Sequence, residues 1–232
     1  MPNRLRPTTK KRPYRSHRTN RYRTGAAGKR HWGEKVRLLL DLREITDPEK
    51  RRRLAAEADE NGIWGVVVTG PRGGESVEAS VIATATTNIT IAVDVDIDGV
   101  HSTTVAEEIS VLDQISRRRT MVIFRGNSSA AKPIQELLSG KDVDGVILSP
   151  PPAQAAIPVH ESSEISAVNL PSDLGEAASV IDQHRDAGDR FLIVASHRPV
   201  KEIARHFLGR AVSADFPQMV ADMADQIDPI NQ

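Results

Sequence analysis

The chain has 232 residues, no cysteine, and 31 basic side chains against 31 acidic ones. That length suits one folded domain with or without an extension, and the missing cysteines exclude disulfides, thiolate nucleophiles and thiolate-bound metals. The zero net charge conceals a division: eleven of the Lys and Arg residues fall within residues 1–31, which hold no Asp or Glu, so residues 32–232 are strongly acidic.

Residues 1–31, which include "RPTTKKRPYRSHRTNRYRTGAAGKR", carry almost no aliphatic side chains. They offer too little apolar surface to offset the entropy of ordering, so a disordered basic tail is expected. Its charge suits nucleic acid, another polyanion or an acidic protein partner. Tyr14 and Tyr22 are able to stack on bases. The tail lacks the apolar core of a secretory signal, and no run nears the roughly 20 apolar residues of a membrane span. A cytoplasmic location is the expectation.

From residue 32 onward a single domain is expected, in which short apolar runs alternate with helical patterns. "KVRLLLDL" (35–42) reads as a strand. Asp47 as N-cap and Pro48 in the first turn open a helix that Asn61-Gly62 ends. "IWGVVVTG" (63–70) is a continuous β-branched run, the mark of a strand covered on both faces. The Gly-rich turn "TGPRGGE" (69–75) follows, and "ESVEASVIATATT" reads as a helix.

"ITIAVDVDI" (89–97) reads as a strand in which Asp94 and Asp96 alternate with Val93, Val95 and Ile97. In "HSTTVAEEISVLDQIS" (101–116), Val105, Ile109, Leu112 and Ile115 share one helical stripe. "TMVIF" (120–124) and "DGVILS" (144–149) read as strands, with the helix "SSAAKPIQELLSG" (128–140) between them; Pro133 predicts a kink or a late start. Short strands are expected within "AAIPV" (155–159) and "ISAVNL" (165–170). The helix "LGEAASVIDQHRDAG" stops at Gly188, the strand "RFLIVAS" (190–196) follows, and "PVKEIARHFLG" and "FPQMVADMADQ" read as helices.

Strands that are continuous apolar runs, each followed by a helix, predict an α/β fold with a parallel sheet covered by helices. A closed (β/α) barrel and an open doubly wound sheet both satisfy this period. The chain is short for an eight-unit barrel, which takes roughly 250 residues.

Residues 55–123 carry a more specific pattern. Ala56, Glu57, Gly62 and Trp64 at the first helix-to-strand junction, Ala83, Thr86, Thr87 and Ile89 at the second, then Val95, Ala106, Glu107, Leu112, Asp113 and Ser116, together resemble the bacterial-luciferase-like family of flavin-dependent monooxygenases and deazaflavin-dependent oxidoreductases. "RGNSSAAKPIQELLSGKDVDGVIL" (125–148) resembles a later unit of the same family. The two units are far apart in the family and meet here at Phe124-Arg125, which implies an internal deletion of one or two barrel units. The resemblance therefore implies a shortened or irregular TIM-like (β/α) barrel, FMN or a deazaflavin as cofactor at the C-terminal ends of the strands, and a homo- or hetero-oligomer, commonly a dimer.

"FRGNSSAA" is the best candidate for the cofactor's phosphate. Arg125 and Gly126 close a strand, and Asn127, Ser128 and Ser129 stand where a helix begins. Free N–H groups, the positive helix end and hydroxyls favour an anion there, and a guanidinium adds bidentate contacts. An ordinary N-cap beside a solvated arginine has the same sequence pattern. The resemblance places the flavin phosphate at the serine equivalent to Ser128. Thr69 and Gly70 after the second strand, and Ser196 with His197 and Arg198 after a late one, complete the candidate set.

No catalytic residue is identified. Family members often carry a histidine or an acid after the second strand, where this chain has Thr69-Gly70-Pro71-Arg72. His101 reads as a helix cap, and no two histidines show metal-ligand spacing. Two functions fit: a luciferase-like flavin- or deazaflavin-binding oxidoreductase of the monooxygenase type, and a catalytically degenerate barrel serving as an assembly or binding subunit, its basic tail touching nucleic acid or an acidic partner.

Overall fold

The computed structural model describes residues 36–126, 128–207 and 211–212. The tail expected over residues 1–31 and the helix expected over 216–226 lie outside these residues. Strand β1 (Val36–Asp41), helix α1 (Pro48–Glu60), strand β2 (Gly65–Val68), helix α2 (Glu75–Thr84), strand β3 (Thr90–Asp96), helix α3 (Ser102–Ser116), strand β4 (Thr120–Arg125) and helix α4 (Ser128–Leu138) form the first half. Strands β5 (Val159–Glu161) and β6 (Ser166–Asn169), helix α5 (Leu174–Ala187), strand β7 (Phe191–Ala195), helix α6 (Val200–Phe207) and the two-residue strand β8 (Ala211–Val212) complete it.

Local chemistry accounts for the helix ends. The Asp47 carboxylate accepts a 3.0 Å hydrogen bond from Glu49 N–H, and Pro48 stands at the first position, where its missing N–H costs nothing. Asp173 caps α5 in the same way by accepting from Glu176 N–H, and Gly188 closes that helix at φ 91°, a left-handed conformation suited to glycine. Pro133 lies inside α4, which already begins at Ser128, so the helix does not start late.

The strands pair in the order β5-β4-β3-β2-β1-β7-β6, all parallel, with β8 adding a short pairing at Val36 and Arg37. This is the cyclic order of a barrel, read from a seam between β5 and β6. A doubly wound sheet would place the later strands outward from β1 in ascending order; here β7 lies beside β1 and β6 lies beyond it.

Only residues 162–165 separate β5 from β6, and Ser162–Glu164 form one turn of 3-10 helix. Parallel neighbours need a crossover of a dozen or more residues, so β5 and β6 do not pair with each other. They run as one bent strand that changes partner, from β4 to β7. The result is a curled half-barrel, shorter than an eight-unit barrel because two edge strands share one pass of the chain.

Side-chain alternation divides the core into two layers. Leu38 and Leu40, Val66 and Val68, Ile91 and Val93, Val122 and Phe124, and Leu192 and Val194 face the helices. Their neighbours Leu39, Val67, Ala92, Met121, Ile123 and Ile193 fill the concave side with Ile165, beside Trp64 and Phe191. Strands buried on both faces explain why their sequences read as continuous apolar runs.

Residues 144–149 hold a turn at Asp144-Gly145 and no strand, contrary to expectation. Val143 and Val146 form an isolated antiparallel bridge, Asp144 and Gly145 take φ of 52° and 82°, and Gly145 N–H donates to Asp142 at 2.7 Å. Two consecutive left-handed residues reverse the chain, as in a type I′ turn, and overrule the β propensity of "GVIL". Of "AAIPV" only Val159 enters β5.

β2 passes close to its neighbours at Gly65, where an added Cβ would lie 2.7 Å from Leu39 Cδ2 and 2.9 Å from the Thr90 carbonyl oxygen. Gly65→Ala is therefore expected to cost about 1–3 kcal/mol through overpacking; an unchanged urea midpoint would contradict this close approach. At the seam, Asp189 accepts from Ser166 Oγ of β6 at 2.9 Å and meets His184 Nδ1 of α5 at 2.7 Å. These bonds, the histidine's first, hold its carboxyl below the ordinary value of 3.8. A lowered carboxyl pKa contributes stability that is present above the ordinary value and lost as pH falls through the lowered one. Asp189→Asn should lower the unfolding midpoint at neutral pH, with the gap to wild type closing in acid; a gap independent of pH would oppose this role.

Candidate functional site

Every paired strand runs the same way, so the C-terminal ends gather at one rim, where ligands bind in barrels. Asp94 of β3 is the residue around which this rim is organised. Its carboxylate is 1 % exposed and accepts from Arg43 Nη1 at 2.7 Å and from Arg125 Nε at 2.6 Å. Arg43, just beyond β1, also grips Asp41 in a bidentate pair, Nε to Oδ1 at 2.9 Å and Nη2 to Oδ2 at 2.7 Å. Thr69 Oγ donates to the Asp94 carbonyl at 3.0 Å. The ends of β1, β2, β3 and β4 are thus tied by one network.

Charge-assisted and bidentate bonds are the strong class of hydrogen bond. The Asp41 carboxylate first, and Asp94 with it, hold Arg43 above the ordinary arginine range against the opposing effect of burial. Two carboxylates balance two guanidiniums, so the cluster has little net charge. Asp94, gripped from two sides, is not available to take a proton from a substrate. Arg125 keeps a side chain 44 % exposed and offers an outer edge to an anion.

Beyond Arg125, Gly126 has φ 102°, and a Cβ there would stand 2.7 Å from the Asp98 carboxylate. The Asp98 carboxylate thus packs against the Gly126 backbone just before α4 begins. A cavity of about 200 Å³ opens beside it, lined by Ile97, Phe124, Gly126, Ala131, Glu161, Ser162 and Ser163. The Glu161 carboxylate is engaged in its own 3-10 turn, in a reciprocal cap with Glu164. Arg72 of the "TGPRGGE" turn reaches toward the loop after β3, its Nη2 lying 3.6 Å from where Gly99 would carry a Cβ. Gly70 packs against the start of α2, with 2.8 Å from a hypothetical Cβ to the Gly74 carbonyl. Burial, together with the charge of Glu75 at that helix start, pushes the Glu108 carboxyl upward.

Thr69 and Arg125 therefore meet through Asp94, and Gly126 adjoins them. Ser129 is exposed in the first turn of α4. Asn127 lies outside the described residues, as does the side chain of Ser128. Ser196, just past β7, accepts from Arg198 N–H at 3.1 Å, while Arg198 binds Glu202 at 3.0 Å and the Ser172 carbonyl oxygen. His101 caps α3 by position, without a side-chain hydrogen bond. Arg43 and Asp41 were missed by sequence reasoning. The available signal was an Asp that interrupts the apolar run "LLLDL", followed two residues later by an arginine.

Removing the carboxylate at position 94 leaves two guanidiniums at a partly buried rim. Asp94→Ala is expected to lower stability by about 2 kcal/mol, less than for a fully buried pair because the arginines can reach water. Unchanged denaturant unfolding of Asp94→Ala would show that the clamp contributes nothing.

No family model matches the chain, and no curated protein matches it in sequence. Solved structures do resemble it in shape. A monooxygenase from Streptomyces bottropensis aligns over 68 % of this chain and 70 % of its own, with 12 % identity and a TM-score of 0.48. The coenzyme F420-dependent tetrahydromethanopterin reductase of Methanopyrus kandleri aligns over 70 % and 65 %, with 16 % identity and a TM-score of 0.47. A type II Baeyer–Villiger monooxygenase, the oxygenating constituent of 3,6-diketocamphane monooxygenase from Pseudomonas putida in complex with FMN, aligns over 68 % and 66 %, with 10 % identity and a TM-score of 0.47. The chain spans about two thirds of the length of these proteins. Likeness at this depth transfers no ligand and no residue role.

Proposed function

We propose that the protein is a luciferase-like flavin- or deazaflavin-binding barrel whose cofactor phosphate rests at the C-terminal rim, on Arg125, the Gly126 turn and the start of α4. The observation that carries this reading is a convergence: two separate stretches meet at Asp94 on one rim, Thr69 at its backbone carbonyl and Arg125, followed by Gly126, at its carboxylate. The resemblance of residues 55–123 to the family supports it independently. Arg125 supplies a half-exposed guanidinium, and Ser128 and Ser129 a helix start suited to an anion. Thr69, Gly70 and Ser196 would border the ring.

When bound, FMN or a deazaflavin supplies the redox chemistry, as an acceptor and donor of hydride. The chain's own part is to bind and orient. Arg125 holds the phosphate while Asp94 holds Arg125, and Arg43 binds Asp94 on its other oxygen. Pairing into a homo- or hetero-oligomer, a cytoplasmic setting and a polyanion contact through residues 1–31 belong to the same proposal. Among the described residues no helix is long and apolar enough to cross a membrane.

A second reading has one observation in its favour. The buried carboxylate at the rim is neutralised by two arginines, and the loop after β2 carries no general base. This suits a barrel that retains the scaffold as a binding or assembly subunit without turnover, and a fold shared with enzymes does not by itself confer activity.

Titration of the purified protein with FMN and with a deazaflavin, followed by absorption, separates the readings. Binding is expected, and Arg125→Ala should weaken it about tenfold, the loss of one charge-assisted contact. Equal affinity in Arg125→Ala would remove the phosphate site from this rim, and absence of any binding would favour the second reading.

A further inference from the structure

The opposite rim combines an aromatic surface with cations. A concave pocket of about 450 Å³ opens at the first residues of β3, β4, β5 and β7. Trp64 and Phe191 form its apolar wall, with ring centroids 5.2 Å apart, and both remain partly exposed. They continue the concave layer of Leu39, Val67, Met121 and Ile193. Exposed aromatic surface that is continuous with a core marks a contact site.

Arg118, Arg119 and Arg190 line the same pocket. Arg190 lies 5.8 Å over the Phe191 ring. Arg119 is anchored by neutral acceptors at 2.7 to 3.1 Å: the carbonyls of Ser116, Ile89, Ala83 and Thr86, and the Thr86 hydroxyl. None of the described lining residues is acidic. The surface suits an apolar stripe flanked by carboxylates.

The described chain ends beside this rim. β8 pairs with the first two residues of β1, Ala211 with Val36 and Val212 with Arg37. Residues 213–232 follow, and their composition is the counterpart of the pocket. They contain Asp215, Asp222, Asp225 and Asp228 and no Lys or Arg. Phe216, Met219, Val220, Met223 and Ile227 recur at helical spacing, and the aspartates fall outside that stripe.

We infer that the acidic C-terminal segment, residues 213–232, seats on the N-terminal rim of its own chain, independently of the flavin reading. Its apolar stripe covers Trp64 and Phe191, and its aspartates meet Arg118 and Arg190. Thioethers at Met219 and Met223 suit the two rings. The mode is that of an amphipathic segment laid into a groove. The reach is sufficient: residues 213–215 extend about 10 Å, and a helix over 216–226 is about 16 Å long, enough to cross three strand starts at about 4.8 Å apiece. Seated there, the segment closes the end of the barrel opposite the proposed cofactor site.

Hydrogen exchange of the full chain tests this. Amides over 216–226 are expected to be protected, and raising the salt concentration should reduce the protection, since the charges at the pocket mouth are exposed. Arg118→Glu combined with Arg190→Glu, at two exposed positions, should lower the protection at least about tenfold, the loss of one charge-assisted contact. Adding Asp222→Lys and Asp225→Lys to that variant should restore it, which separates loss of the contact from loss of the fold. Unprotected amides in the wild type overturn the inference. So does protection that survives the double reversal, which would seat the segment elsewhere, or protection that rises with protein concentration, which would give the rim to a second copy.

Discussion

The rim depends on a carboxylate with almost no access to water. Asp94 carries its charge on the concave face of β3, where an unpaired anion would be costly to bury. The sheet meets that cost by bringing Arg43 from beyond β1 and Arg125 from β4 onto opposite oxygens. Because Arg43 also grips Asp41, the ends of strands on both sides of β2 are held in one register. The same arrangement decides the chemistry on offer. It engages both oxygens of Asp94, fixes Arg125 beside the turn at Gly126, and leaves the Arg125 side chain partly exposed.

The two rims divide the electrostatic work. At the C-terminal rim acids and arginines are paired, and selectivity for an anion must come from the exposed edge of Arg125 and the helix start. At the N-terminal rim Arg37 and Arg190 lie over aromatic faces, and neutral oxygens hold Arg119. Parallel strand direction makes this separation possible, since every strand contributes its beginning to one rim and its end to the other. The barrel order supplies the concavity at both.

Much of the fold was readable from the chain. Continuous β-branched runs such as "IWGVVV" marked strands covered on both faces, and Asp47-Pro48 and Gly188 marked helix ends through capping chemistry. Strand order was not readable, because the alternating period fits a barrel and a doubly wound sheet equally; pairing of β7 with β1 is a contact between distant segments. "DGVILS" misled because local β propensity says nothing about two left-handed residues in succession. The bent passage from β5 to β6 had no signal beyond its prolines and serines. At the site, Arg125 and Gly126 stood out by local pattern. Arg43 did not, since its meaning lies in a partner 51 residues away. The pocket lined by Arg37, Arg118, Arg119 and Arg190 at the other rim also escaped notice, as its arginines come from three separate stretches.

The most direct measurement is a crystal structure of the protein soaked with FMN. The phosphate is expected against Arg125, Gly126 and the first turn of α4, with Asp94 still bridging Arg43 and Arg125. A phosphate lodged among Arg37 and Arg190, or one that displaces Asp94 from both arginines, would contradict the assignment of the C-terminal rim.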